Sequence, residues 1–164
     1  MRWRDKLRER VCKGFCIKSV DILVIGISSP FLVGVYEYDK LIQSFSSQKH
    51  ISEALIEILS EISNKFNISS IIYTNTPGSF MGLKVSYVIL KTFCVAKNID
   101  FFAVSGFELN GGGAIRANKS LSFVLQNDKI LLKQAEPTPF ELPLNLSNLN
   151  KTSDTLPSYI IQAV

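Results

Sequence analysis

Read as hydrophobic and polar positions, the chain alternates between two periods. DILVIGIS (21–28), FLVGVYEY (31–38) and KLIQSF (40–45) are short, β-branched and aromatic runs that predict three strands. The first is almost continuously apolar, as a central strand covered on both faces would be. Ser29-Pro30 and Asp39-Lys40 mark the turns, so the three strands read as an antiparallel meander. Over 49–66 the period changes to that of a helix: Ile51, Ala54, Leu55, Ile58, Leu59, Ile62 and Phe66 form one stripe, with Ile56 off it. Ile71–Thr74 reads as a strand. Pro77-Gly78 then breaks the chain, and Ser79 is placed to cap a helix running to about Lys97. That helix is apolar almost all round. Phe80, Leu83, Tyr87, Leu90 and Cys94 fill one face, and Met81, Val85, Val88, Ile89 and Val95 cover much of the rest. Such a helix is buried on more than one side; a sheet covers one, and the other needs a further layer.

A strand follows at 99–105, then a flexible turn at Asn110–Gly113 and a hairpin, LSFVLQ (121–126) and KILLKQ (129–134), closed by Asn127-Asp128. From Glu136 the chain has four prolines and no period, which reads as an extended or mobile tail. SYIIQAV, at its end, reads as a segment able to dock as a strand. The order β-β-β-α-β-α-β predicts an α/β fold: a ribonuclease H-like or actin-like mixed sheet with helices on its faces. Three regions follow: a basic leader (1–20), the actin-like domain (21–135) and a proline-rich C-terminal tail (136–164).

Strand, glycine turn and helix N-terminus at 71–84 suggest a phosphate cradle, because free N–H groups converge there. The spacing argues otherwise. Three residues separate Gly78 from Gly82, where a P-loop has four, and Lys84 is followed by Val85 instead of Ser or Thr. A tight strand-to-helix turn, with Gly82 permitting close packing, accounts for the same residues.

Composition changes this picture little; charge changes it more. The 164 residues, 46% of them apolar, fit one globular domain with an appendage. The net charge of +4 is concentrated in the leader, where seven Lys/Arg meet two acids; the remaining residues hold 11 against 12. The body is therefore near neutral, with no basic face legible in the sequence. The leader is readable as a disordered arm, a contact for RNA or an acidic partner, or an upstream start. Three cysteines without ligand spacing suit a reducing cytosol, the four Asn-x-Ser/Thr sequons then carry no glycan, and no apolar run reaches the ~20 residues of a membrane span. His50, the single histidine, opens a helix with no Ser, Cys or acidic pair near it, and no HExxH-type metal pair is present.

TPGSFMGLK (76–84) resembles the GPGSFTGLR signature of the TsaB (YeaZ) family. ILVIGISSP (22–30) is similar to that family's opening strand, ILAIDTST, and DFFAVSGFEL (100–109) to its P-x-x-G-V-S-S-L-E. The motif positions are Thr76, Pro77, Gly78, Ser79, Phe80, Gly82 and Lys84. The resemblance implies a non-catalytic actin-like subunit that binds and stabilises TsaD, its catalytic paralogue, and assembles with the ATPase TsaE and indirectly with tRNA. The complex would place threonylcarbamoyl on the adenosine beside the anticodon. The resemblance also implies pairing through the helices at 49–66 and 79–97, which nominates Ile56, Met81, Val85, Val88, Ile89 and Thr92 as interface residues. It leaves open a homodimer through the same helices and a nucleotide at the partner interface. No cofactor, metal or catalytic residue is assigned. Gly26 stands where the family has its first-strand Asp, and Asp21, five residues away, faces the other side of an extended strand. Thr76, Met81 and Lys84 replace the family's Gly, Thr and Arg. The alternative is a degenerate actin-like nucleotide hydrolase or glycoprotease-like peptidase; such catalysis depends on a first-strand carboxylate holding a metal.

Overall fold

The computed structural model describes residues 17–159. Leader residues 1–16, with Cys12 and Cys16, and the last five residues of the expected docking strand SYIIQAV lie outside them.

The meander forms as read: β1 (Ser19–Ile25), β2 (Phe31–Glu37) and β3 (Lys40–Ser47) pair antiparallel in sequence order. β1 begins two residues before the expected boundary at Asp21 and takes the end of the leader into the sheet. Helix α1 (Ile51–Lys65) leads to β4 (Asn67–Thr74), which is longer than the 71–74 run because polar Ser69 and Ser70 continue the strand beside β1. Helix α2 (Phe80–Lys97) leads to β5 (Asp100–Val104), and the main sheet has the order β3-β2-β1-β4-β5. β1, β4 and β5 run parallel.

The crossovers β3-α1-β4 and β4-α2-β5 step in the same direction along the sheet, so right-handed connection puts both helices on one face, where they touch. The interior strands carry the core: Ile22 to Ile25, Val33, Val35, Ile71 and Ile72 are fully buried. Leu55, Leu59 and Ile62 of α1 and Leu83, Leu90 and Cys94 of α2 pack onto them from the helix side. At about 25 cal/mol per Å² of apolar surface, each such side chain contributes roughly 1.5–3 kcal/mol.

Beyond β5 the turn predicted at 110–113 is preceded by a one-turn helix, α3 (Gly106–Leu109). A two-residue strand, β6 (Ile115–Arg116), adds to the predicted hairpin of β7 (Ser122–Gln126) and β8 (Lys129–Lys133), making a second, three-stranded sheet.

The proline-rich segment is extended, as expected, but it is packed instead of free. Leu41 N donates to Leu144 O and Leu146 N to Asp39 O, which ties the segment to the outer edge at the start of β3. Further on, Thr152 and Ala103 exchange both backbone hydrogen bonds at 2.9 Å on the outer edge of β5. Between the two edges Leu146 is buried, and Phe140, Leu142 and Leu149 pack against the core. Tyr36 Oη donates to Pro143 O and Tyr73 Oη to Thr155 O. The segment thus crosses the sheet face opposite the helices from β3 to β5 and, past Thr152, rounds the β5 edge to reach Tyr73, whose ring lies 5.9 Å from Tyr87 of α2.

Candidate partner-docking face

The motif at 76–84 builds the start of α2 tightly. Thr76 Oγ1 accepts from Gly106 N at 3.0 Å, tying the loop to α3. A Cβ at Gly78 would lie 2.7 Å from Ile27 Cβ, so the loop sits on the end of β1. Ser79 is the N-cap: its Oγ accepts from Gly82 N at 3.2 Å, and its carbonyl from Leu83 N at 2.9 Å. A Cβ at Gly82 would stand 2.2 Å from Gly26 O, contact that no neighbouring side chain can relieve. The Gly82 amide that an anion would use is already given to Ser79. This is a close-packed strand-to-helix turn.

Gly26 lies under the helices. A Cβ there would meet Ile51 Cδ1 and Ser86 Oγ, each at 2.9 Å, so any larger side chain would have to displace both. Asp21 is on the opposite face of the sheet and accepts from Ser70 Oγ at 2.6 Å. Among the described residues no three His, Cys, Asp or Glu side chains gather. His50 is the residue before α1 and makes no capping hydrogen bond with its side chain. Cys94 is buried, and desolvation pushes its thiol up from 9.0 to about 12, so it stays protonated. Burial likewise raises the phenols of Tyr36 and Tyr73.

The nominated interface residues separate into two groups. Ile56 (57% exposed), Met81 (62%) and Val88 (52%) project outward, as does Thr92. Val85 and Ile89 are half-buried on the flank of α2. Lys84 of the motif is exposed, and Phe80 is exposed beside the Tyr159 ring, 5.2 Å away between centroids. Val95 (71%) extends the outward line, although the interface set drawn from the sequence did not include it. The spacing held the signal: Met81, Val85, Val88, Thr92 and Val95 recur at four- and three-residue steps, the seam pattern of paired helices.

Charge divides between the helices. Glu53, Glu57 and Glu61 are exposed on α1, with Lys65 bonded to Glu61 at 2.6 Å. On α2 the exposed charges are Lys84, Lys91 and Lys97. Lys91 Nζ lies 5.8 Å from the Phe101 ring centroid, on the β5 side of the helix. The result is an apolar seam with cations along one flank and an acidic neighbouring helix. It suits a helical partner better than a small ligand, since it is a ridge and not a cavity. The nearest recess, a cleft of about 150 Å³ bordered by Pro77, Phe80, Leu83, Phe123 and Tyr159, lies beyond the N-terminal end of that seam.

Comparison with known proteins agrees with this architecture. Residues 42–114 match the family model TsaD, tRNA N6-adenosine threonylcarbamoyltransferase. No curated protein matches the sequence. Among solved structures, YeaZ from Pseudomonas aeruginosa superposes with a TM-score of 0.51 at 14% identity, covering 71% of this chain and 65% of that one. A second, described as an uncharacterized protein with similarity to peptidase YEAZ from Pseudomonas aeruginosa, gives the same score and identity with coverage of 71% and 64%. The chain therefore spans a little under two thirds of the length of these relatives. No helix among the described residues is long and apolar enough to cross a membrane. With its mixed sheet and both helices on one face, the chain has the fold of YeaZ, and its residues 42–114 are similar to the TsaD family.

Proposed function

We propose that this chain is a non-catalytic subunit of a tRNA threonylcarbamoyladenosine-forming assembly, and that it binds and stabilises a TsaD-type catalytic subunit through α1 and α2. The observation that carries the reading is the outward seam Met81–Val85–Val88–Thr92–Val95, with Ile56 beside it. Apolar side chains at this spacing leave α2 short of cover on one side, and a partner helix supplies it. The matched TsaD family segment, 42–114, contains both helices and points to that class of partner. A non-catalytic role is supported by Gly26, a residue without a carboxylate that packs under Ser86 and Ile51 where a metal-dependent relative has its first-strand acid. A TsaE-type ATPase and tRNA enter the same reading through the assembled complex, and a second copy of this chain is a competing occupant of the face.

Co-expression with the TsaD-type subunit of the same organism should give a one-to-one complex on size exclusion. A chain that elutes alone, with the catalytic subunit equally soluble in its absence, would overturn the proposal.

A further inference from the structure

The second sheet, β6-β7-β8, turns one face away from the core; among the described residues it is covered at Ser122, which is buried and donates its Oγ to Ala135 O at 2.8 Å, while its cations stand clear. Cross-strand pairing sets its composition: Arg116, Ser122 and Lys133 stand in one row across the three strands, Val124 opposite Leu131 in the next, and Gln126 opposite Lys129 beyond. Lys119 rises from the β6–β7 turn, and all four cations are exposed. None of the four forms an ion pair with another described residue; Lys133 Nζ donates to the amide Oε1 of Gln126 at 2.5 Å. From Ile115 to Ala135 these four cations stand against Asp128 alone, four minus one giving +3. The residues from 21 to 164 hold 11 Lys/Arg and 12 acids, so this sheet is a local reversal of a slightly acidic body. A polar groove of about 460 Å³ runs beside it, lined by Arg116, Lys119, Ser122, Gln134 and Glu136 among others, Glu136 being its one acid.

The four cations do not converge on a point. Lys129 and Lys133 are four residues apart on β8, roughly 13 Å at the rise of a strand, and Arg116 and Lys133 flank a strand, roughly 10 Å apart. Long, unpaired cationic stems spread over a flat pleated surface suit a ligand whose negative charges are themselves spread out, not a single carboxylate or phosphate. We propose that the outer face of β6-β7-β8, with Lys119, is a contact surface for the phosphate backbone of a folded RNA. That the RNA is tRNA rests on the function proposed above; the charge geometry does not depend on it.

The test is binding of the full chain to fluorescently labelled unfractionated tRNA, followed by anisotropy from 50 to 300 mM KCl. In Arg116→Gln/Lys119→Gln/Lys129→Gln/Lys133→Gln, the slope of log K against log [KCl] should become shallower by about 3, at roughly 0.7–0.9 per lost phosphate contact. Lys119→Gln/Lys133→Gln, which alters half as many surface positions, should lose about half of that. The comparison is repeated on a chain whose leader Lys and Arg are Gln, and the same loss of slope is expected there. An unchanged slope in the fourfold variant overturns the proposal, as does absence of tRNA binding at 50 mM KCl. Displacement of tRNA by poly-glutamate as efficiently as by polyuridylate overturns it in favour of an acidic protein partner. Val88→Glu should leave the tRNA slope intact and the fourfold variant should still pair with the TsaD-type subunit, so the two readings fail separately.

Discussion

Gly82 illustrates how a single hydrogen atom sets the geometry of the molecule. Replacing glycine by alanine inside an exposed helix ordinarily stabilises by about 1 kcal/mol. Here the added Cβ would lie 2.2 Å from the Gly26 carbonyl oxygen, a backbone atom at the end of β1. We expect Gly82→Ala to destabilise by about 1–3 kcal/mol, the usual cost of overpacking, read as a lower urea midpoint at unchanged m-value. Gly111→Ala is the control: nothing surrounds that position, and the expected loss of about 1–2 kcal/mol comes from its φ of +68° alone. Titration gives a second residue-scale prediction. Cys94, Tyr36 and Tyr73 all have acid groups raised by burial, Cys94 from 9.0 to about 12. Above pH 9 the unfolded chain therefore releases protons that the folded chain retains, and stability falls as pH rises toward 12, by up to about 1.4 kcal/mol per pH unit and group. A urea midpoint unchanged between pH 8 and 11 would contradict these burial assignments. For the same reason Cys94 should resist thiol reagents at pH 8 until the protein unfolds, as peptide mapping of the labelled chain would report.

At the scale of elements, α2 has two apolar sides with different duties. Leu90, fully buried against the sheet, should cost about 2–5 kcal/mol when changed to alanine. Val88 is half exposed on the outward seam, so Val88→Glu should alter stability by no more than about 0.5 kcal/mol while weakening partner binding at least tenfold. A Val88→Glu protein that unfolds as readily as Leu90→Ala would show that the seam belongs to the core. This helix was largely legible in the sequence, because apolar residues on all sides of a capped helix leave few other arrangements. The apolar pattern placed Val95 among the residues off the sheet-facing stripe but did not single it out for the seam. Helix α3 and β6 escaped notice for a different reason: four- and two-residue elements have no period to detect, and their placement comes from tertiary bonds such as Gly106 N to Thr76 Oγ1. The basic face of the second sheet was hidden as well. Its cations are scattered among 18 residues of sequence, and only the cross-strand register brings Arg116 and Lys133 to either side of Ser122.

Across the whole molecule, residues 136–159 form an extended strap that ties β3 to β5. No sequence period reveals such a strap, because its bonds are backbone pairings with Asp39, Leu41 and Ala103 at two distant sheet edges. Leu146, buried on the face opposite the helices, should cost about 2–4 kcal/mol as alanine. Because the strap spans both edges, that loss should appear in hydrogen exchange at Leu41 and at Ala103 together; loss at one edge alone would mean the strap is two independent contacts. The strap lies largely on the other face of the sheet, so the outward side of α1 and α2 stays open for the partner of the proposed function.

Calorimetric titration of the TsaD-type subunit with the wild-type chain and with Val88→Glu tests that conclusion most directly. The account predicts saturation at one-to-one stoichiometry for the wild type and at least a tenfold weaker Kd for the variant at matched thermal stability. Equal affinity for the two proteins, or no heat of binding with either, would contradict it.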